Sequence, residues 1–210
     1  MNKKLKIIIG ALALIVITVL TFFFWQNWPQ KQEEKLGYVQ FDSFVKQDAN
    51  GQVWYENKDA GIKFMVPAGW SVGASQLASI ALTSSDFKPF NDKPSAASIP
   101  ANGCWIGVSV KNTVSDDADY ATTKDRLSHQ DILSSINTSK KTYTAIDVGK
   151  TKMLKTVLII DSNKDNIGSA ISLDLAKDNK FYSVETDLFG EDQEKCSQLF
   201  DEFLSTVLIQ

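Results

Sequence analysis

Gly69-Trp70-Ser71-Val72-Gly73 has the G-x-S-x-G spacing of a hydrolase nucleophile. Enzymes that use this motif hold the serine at the apex of a sharp strand-to-helix turn, with an acid and then a histidine later in the chain. Asp116 or Asp125, followed by the single histidine, His129, matches that order. The surroundings point elsewhere. Ser71 follows a turn-forming Val66-Pro67-Ala68-Gly69 and sits in an alternating stretch, and VGASQLASIAL after it carries no helical stripe. His129 lies in the polar run RLSHQD, as an exposed helix residue would. The expectation is a structural corner. An anchored serine hydrolase using Ser71 is the alternative.

A second candidate is DSNKDNIGSAIS, residues 161–172. Asp161, Asn163 and Asp165 have the D-x-N-x-D spacing of a calcium loop. Such a loop also requires glycine at its sixth position and glutamate at its twelfth. Asn166 and Ser172 stand there instead, and the flanks read as strands. A hairpin loop accounts for these residues, because Asn, Asp and Gly tolerate left-handed turn geometry. A calcium-dependent binding domain remains the second alternative.

Val148-Gly149-Lys150-Thr151 matches the end of a phosphate-binding loop, but Thr144 occupies the place of the required first glycine. Asn137-Thr138-Ser139 is a glycosylation sequon, relevant only in a host that glycosylates exported proteins. Asp116, Asp117 and Asp119 read as a solvated loop. Two cysteines and one histidine have no zinc-site spacing, so no metal and no cofactor is expected.

Composition narrows the classes further. The chain has 210 residues, 43% apolar and 22% charged, as a foldable globular chain does. Without Lys3, Lys4 and Lys6, 19 basic side chains face 25 acidic ones. A mildly acidic domain with one arginine, Arg126, and no basic cluster is a poor partner for nucleic acid.

The elements that must position these residues are mostly strands. Period-two alternation marks strands over 52–56, 62–66, 79–84 and 103–110, with Trp70 and Val72 resuming it after the proline corner. Four more follow, near 142–148, 152–161, 167–176 and 181–187, with Asp178-Asn179 as a turn. Residues 85–103 hold three of the five prolines and form a long loop, and 117–136 holds one or two short helices. The clearest helix is EDQEKCSQLFDEFLSTV. Its Cys196, Leu199, Phe200, Phe203, Leu204 and Val207 fall at i, i+3, i+4, i+7, i+8 and i+11, one stripe that must lie on a sheet face. The class is α+β with a mostly antiparallel sheet. Cys104 falls on the apolar face of its strand and Cys196 on the helix stripe, so the two meet if that helix packs on that sheet face. A Cys104–Cys196 disulfide is expected; two separate buried thiols are the alternative.

Residues 7–25, IIIGALALIVITVLTFFFW, contain no charge. As a helix they span roughly 29 Å, about the hydrocarbon thickness of a bilayer. The three lysines before them keep the N-terminus cytoplasmic, and Trp25 and Trp28 mark the far interface. A cleaved signal peptide has a shorter apolar core and a small-x-small site, which FFFWQNW does not offer. The expected organisation is a transmembrane signal anchor over 1–28, a stalk over 29–50 and an extracytoplasmic domain over 51–210. The lipid bilayer is the expected partner of residues 7–25.

The run VWYENKDAGIKFMVPAGWSV (53–72), followed by SIALTSSDF (79–87), resembles the opening of PsbP-like domains, with an aromatic-bearing strand, a turn and a proline–tryptophan corner. The ending CSQLFDEFLSTVLIQ (196–210) is similar to the closing helix of small membrane-anchored bacterial members. Met65-Val66 replaces the usual aromatic before the proline. The resemblance implies an α/β/α sandwich around a central antiparallel sheet. It also implies a binding or assembly factor rather than an enzyme, with an unknown envelope protein as partner. It carries no ligand residue with it.

Overall fold

The alternating stretches become antiparallel strands, which form the large antiparallel sheet expected of an α+β domain and a smaller four-stranded sheet beside it. The structure is a computed structural model that describes residues 37–75, 78–89, 100–161 and 167–210. The segment 7–25 lies outside the described residues, among which no helix is long and apolar enough to cross a membrane.

The strands in chain order are β1 (Gly37–Tyr38), β2 (Val45–Ala49), β3 (Gln52–Asn57), β4 (Ile62–Val66), β5 (Ser71–Gly73), β6 (Ile80–Thr83), β7 (Lys88–Pro89), β8 (Pro100–Asn102) and β9 (Trp105–Asn112). Helix α1 (Ala118–Ser128) and a 3-10 turn (Gln130–Ile136) come next. Then follow β10 (Lys141–Val148), β11 (Thr151–Asp161), β12 (Ile167–Lys177), β13 (Lys180–Leu188), helix α2 (Gln193–Leu204) and β14 (Leu208–Ile209). The main sheet runs β10-β11-β12-β13-β9-β6-β5, with β1 also on β9. The smaller sheet runs β14-β4-β3-β2.

Each face of the main sheet carries a helix. On one face, Ile106, Val108, Val110, Leu173 and Val184 join Cys196, Phe200, Phe203 and Leu204 of α2 in the core. The smaller sheet shares this face. Its apolar residues Ile62, Phe64 and Val66 turn inward, and the Phe64 ring lies 5.5 Å from that of Phe203. The chain end returns to the free edge of β4: Leu208 pairs with Lys63, Ile209 with Ile62, and Gln210 N–H donates to Gly61 O at 2.9 Å. The Tyr182 hydroxyl donates to Ala60 O at 2.7 Å and ties β13 to the β3–β4 turn. On the other face, α1 packs against β11, β12 and β13, and Leu127 meets Leu133, Tyr143 and Leu154.

The ordered elements start ahead of the expected Gly51. β1 pairs with β9, β2 pairs with β3, and Phe44 is buried with its ring 6.2 Å from that of Phe64. Over 37–50 the expected stalk is therefore part of the folded unit, because Phe41 and Phe44 pack against its core. Asp178 and Asn179 form the expected turn, with φ of 51° and 57°, the two positive values of a type I′ hairpin. The described ends of β11 and β12 pair as a hairpin, Asp161 opposite Ile167.

Candidate functional site

The proline corner opens a groove. Val66 and Val53 are cross-strand partners on the inner face of the smaller sheet, as are Phe64 and Tyr55, whose rings stack 6.3 Å apart. The chain then turns over Pro67-Ala68-Gly69-Trp70, closed by Trp70 N–H donating to Pro67 O at 3.1 Å. Gly69 has φ of 79°, the positive value demanded of the third residue of a type II turn. The expected turn over 66–69 is thus shifted by one residue, because only glycine takes that left-handed position without strain. The shift sets Trp70 and Val72 half-buried against the core.

Val53, Tyr55, Val66, Trp70 and Val72 line a groove of about 490 Å³. Met65 and the 67–69 turn form one wall, and Gly51, Gln52 and Lys46 lie at the other side. The size is ordinary for a binding site. Lys46 is the one charged residue of the lining, and its Nζ lies 3.5 Å from Asp48 Oδ2 in an exposed pair outside the groove lining. A surface of this kind can hold apolar side chains and meet a carboxylate at its rim. It offers no nucleophile–base pair.

A second polar cluster lies on the other face of the main sheet. Asp174 accepts hydrogen bonds from Ser183 at 2.7 Å and Ser172 at 2.9 Å. Burial nevertheless holds its carboxyl above the usual range. Glu185, on the neighbouring strand, is pushed up to about 7, first by burial and then by Asp187 and Asp174. Its burial has a local cause: the Trp105 indole lies across Gly107, where an added Cβ would stand 2.7 Å from the ring and 3.1 Å from Glu185 Cγ. Burial raises Asp187 as well. Sequence reading missed this cluster, although Ser172 and Asp174, and Ser183, Glu185 and Asp187, share one phase of their strands. Among the described residues no group of three His, Cys, Asp or Glu side chains is arranged to hold a metal.

The residues singled out by their spacing are not brought together. Ser71 is exposed in β5, at one edge of the main sheet, and the next described element is strand β6, not a helix. His129 closes α1, which packs on β11 to β13, about 20 Å of sheet away at the usual strand spacing. Its Nδ1 lies 3.2 Å from Asp125 Oδ1 in an exposed pair. Asp116 is exposed and Asp117 caps α1. Asn163, Asp165 and Asn166 lie outside the described residues, and Ser172 sits within β12 on Asp174. Gly149-Lys150 is the two-residue turn of the β10–β11 hairpin. The Asn137 carboxamide accepts from Tyr143 N–H at 2.7 Å. Cys104 and Cys196 form the expected disulfide, with Cα atoms 5.3 Å apart.

No protein-family model matches the chain, and no curated protein matches it. Several solved structures are similar. One is the solution structure of cyanobacterial PsbP (CyanoP) from Synechocystis sp. PCC 6803, at 13% identity and TM-score 0.39, covering 80% of this chain and 93% of that one. LpqN, involved in cell envelope biogenesis of Mycobacterium tuberculosis, is similar at 12% identity and TM-score 0.43, covering 71% and 83%. A Bacteroides thetaiotaomicron protein follows at 9% identity and TM-score 0.41, covering 80% of this chain and 49% of that one.

Proposed function

We propose that this chain is a membrane-anchored, non-enzymatic binding or scaffold domain held outside the cytoplasm. Its corner groove takes an extended apolar segment of another envelope protein. The groove carries this reading: an apolar floor of Val53, Tyr55, Val66, Trp70 and Val72, open to solvent, with one cation and no acid among its lining residues. An open groove of this shape suits a chain segment laid along it better than an enclosed small molecule. The uncharged segment 7–25 and the lysines before it support the anchor and its direction.

Two experiments test the reading. A fluorophosphonate probe added to the full chain in membranes should give no labelling that depends on Ser71. Labelling abolished by Ser71→Ala would make the domain a serine hydrolase. Val53→Arg, which places a charge on the groove floor, should abolish partner capture from the groove. Undiminished capture would remove the groove as the binding site.

A further inference from the structure

The main sheet ends in β10, whose outer edge is half closed and half open. Lys141 N–H donates to Thr138 Oγ1 and Lys141 O accepts from Thr138 N–H, while Tyr143 N–H donates to Asn137 Oδ1. Backbone groups alternate sides along an antiparallel strand, so the N–H and C=O of Ala145 and Asp147 also face outward. These four groups have no partner among the described residues. Ile146 between them is half-buried, and Thr144 is exposed. An open stretch of strand edge is a template for a further strand.

We infer that the occupant is β10 of a second copy, paired antiparallel about a two-fold axis at Ile146. In that register Ala145 pairs with the second copy's Asp147 and Asp147 with its Ala145. Roughly four backbone hydrogen bonds then satisfy all four open groups and leave the Asn137–Thr138 cap intact. The two Ile146 side chains meet as a direct cross-strand pair.

Charge selects this partner. Tyr143, Ala145 and Asp147 share one face of the strand. The Arg126 guanidinium lies 4.1 Å over the Tyr143 ring, and Lys141 Nζ lies 5.4 Å from it. Arg126, the single arginine, forms no ion pair among the described residues. The two-fold brings the second copy's Asp147, an exposed residue whose Oδ1 lies 3.4 Å from Lys152 Nζ of its own chain, diagonal to Tyr143 and toward both cations. It also keeps the two Asp147 side chains diagonal rather than opposite, which avoids a like-charge pair.

The test uses the full chain in membranes, where the native cysteines are bonded to each other. Ile146→Cys should give a disulfide-linked dimer on mild oxidation, because directly opposed residues of this kind lie within bonding reach. Thr144→Cys should not, since the two-fold separates the two copies of that position along the strand. Adding Ala145→Pro or, separately, Asp147→Lys to Ile146→Cys should lower the dimer yield about tenfold, as loss of two hydrogen bonds or of charge complementarity would. Ala145→Pro should leave the melting temperature unchanged, because Ala145 N–H has no partner among the described residues, and Asp147→Lys, which gives up only the exposed pair with Lys152, should lower it little. No dimer from Ile146→Cys, equal dimer from Thr144→Cys, crosslinks only to other proteins, or a yield that survives both added substitutions would each overturn the inference.

Discussion

Cys104 on β9 and Cys196 on α2 are joined across 92 residues of sequence, and their bond fixes the helix to the sheet face it covers. Closing a loop of that length restricts the unfolded chain by about 4 to 5 kcal/mol in the chain-entropy model. Cys104→Ser and Cys196→Ser should therefore lower stability by similar amounts, and the double variant should be no less stable than either. Thermal unfolding of the three variants checks this, and additive losses would contradict it.

The second prediction concerns pH. Glu185 is raised from 4.5 to about 7 in the folded chain, and Asp174 and Asp187 are raised in the same sense. The folded state then holds protons that the unfolded state has released. Stability from this cluster is present below the ordinary carboxylate range and falls as pH rises from about 4.5 to about 7. Glu185→Gln should raise stability at pH 8 by about 2 kcal/mol and leave it unchanged at pH 4. Asp86 acts in the opposite sense. Ser84 and Lys195 hold it at about 2, so its contribution is lost as pH falls from 3.8 toward that value. Denaturant titrations of both proteins across pH 3 to 8 measure these slopes.

Gly103 gives a third prediction. It has φ of 75°, and its N–H donates to Asp192 Oδ2 at 3.0 Å. A Cβ there would stand 2.5 Å from Phe87 Cα, a backbone atom that cannot move aside alone. Gly103→Ala should destabilise by about 2 to 3 kcal/mol, from left-handed strain together with the displaced backbone. Gly69→Ala, strained at φ of 79° but with open space around its Cβ, should cost only about 1 kcal/mol. Equal losses at the two sites would show that the Phe87 contact is not felt.

What was legible in the sequence followed from local period. The strands around Val108, Leu173 and Val184, the stripe from Cys196 to Leu204 and the Asp178-Asn179 turn all announce themselves within a few residues. The meeting of Cys104 with Cys196 followed from the same two stripes. What stayed hidden depends on distant partners. β14 is two residues long, and its pairing with Ile62 and Lys63 adds an edge strand to the second sheet from the far end of the chain. The acids at 174, 185 and 187 alternate with mostly apolar residues as any solvent face does, and it takes Trp105 lying over Gly107 to bury Glu185. Phe44 looked like part of a stalk because its ring partner, Phe64, belongs to another strand. Ser71, Asp125 and His129 matched a chain order, but order carries no distance.

The most direct test of a binding groove at the proline corner is site-specific photocrosslinking in intact membranes. A photoreactive residue at Ala68, exposed in the groove wall, is compared with one at Lys58, exposed on the β3–β4 turn. The account predicts a discrete protein adduct from Ala68 that Val53→Arg abolishes, and none from Lys58. Equal adducts from both positions, or an Ala68 adduct indifferent to Val53→Arg, would contradict it.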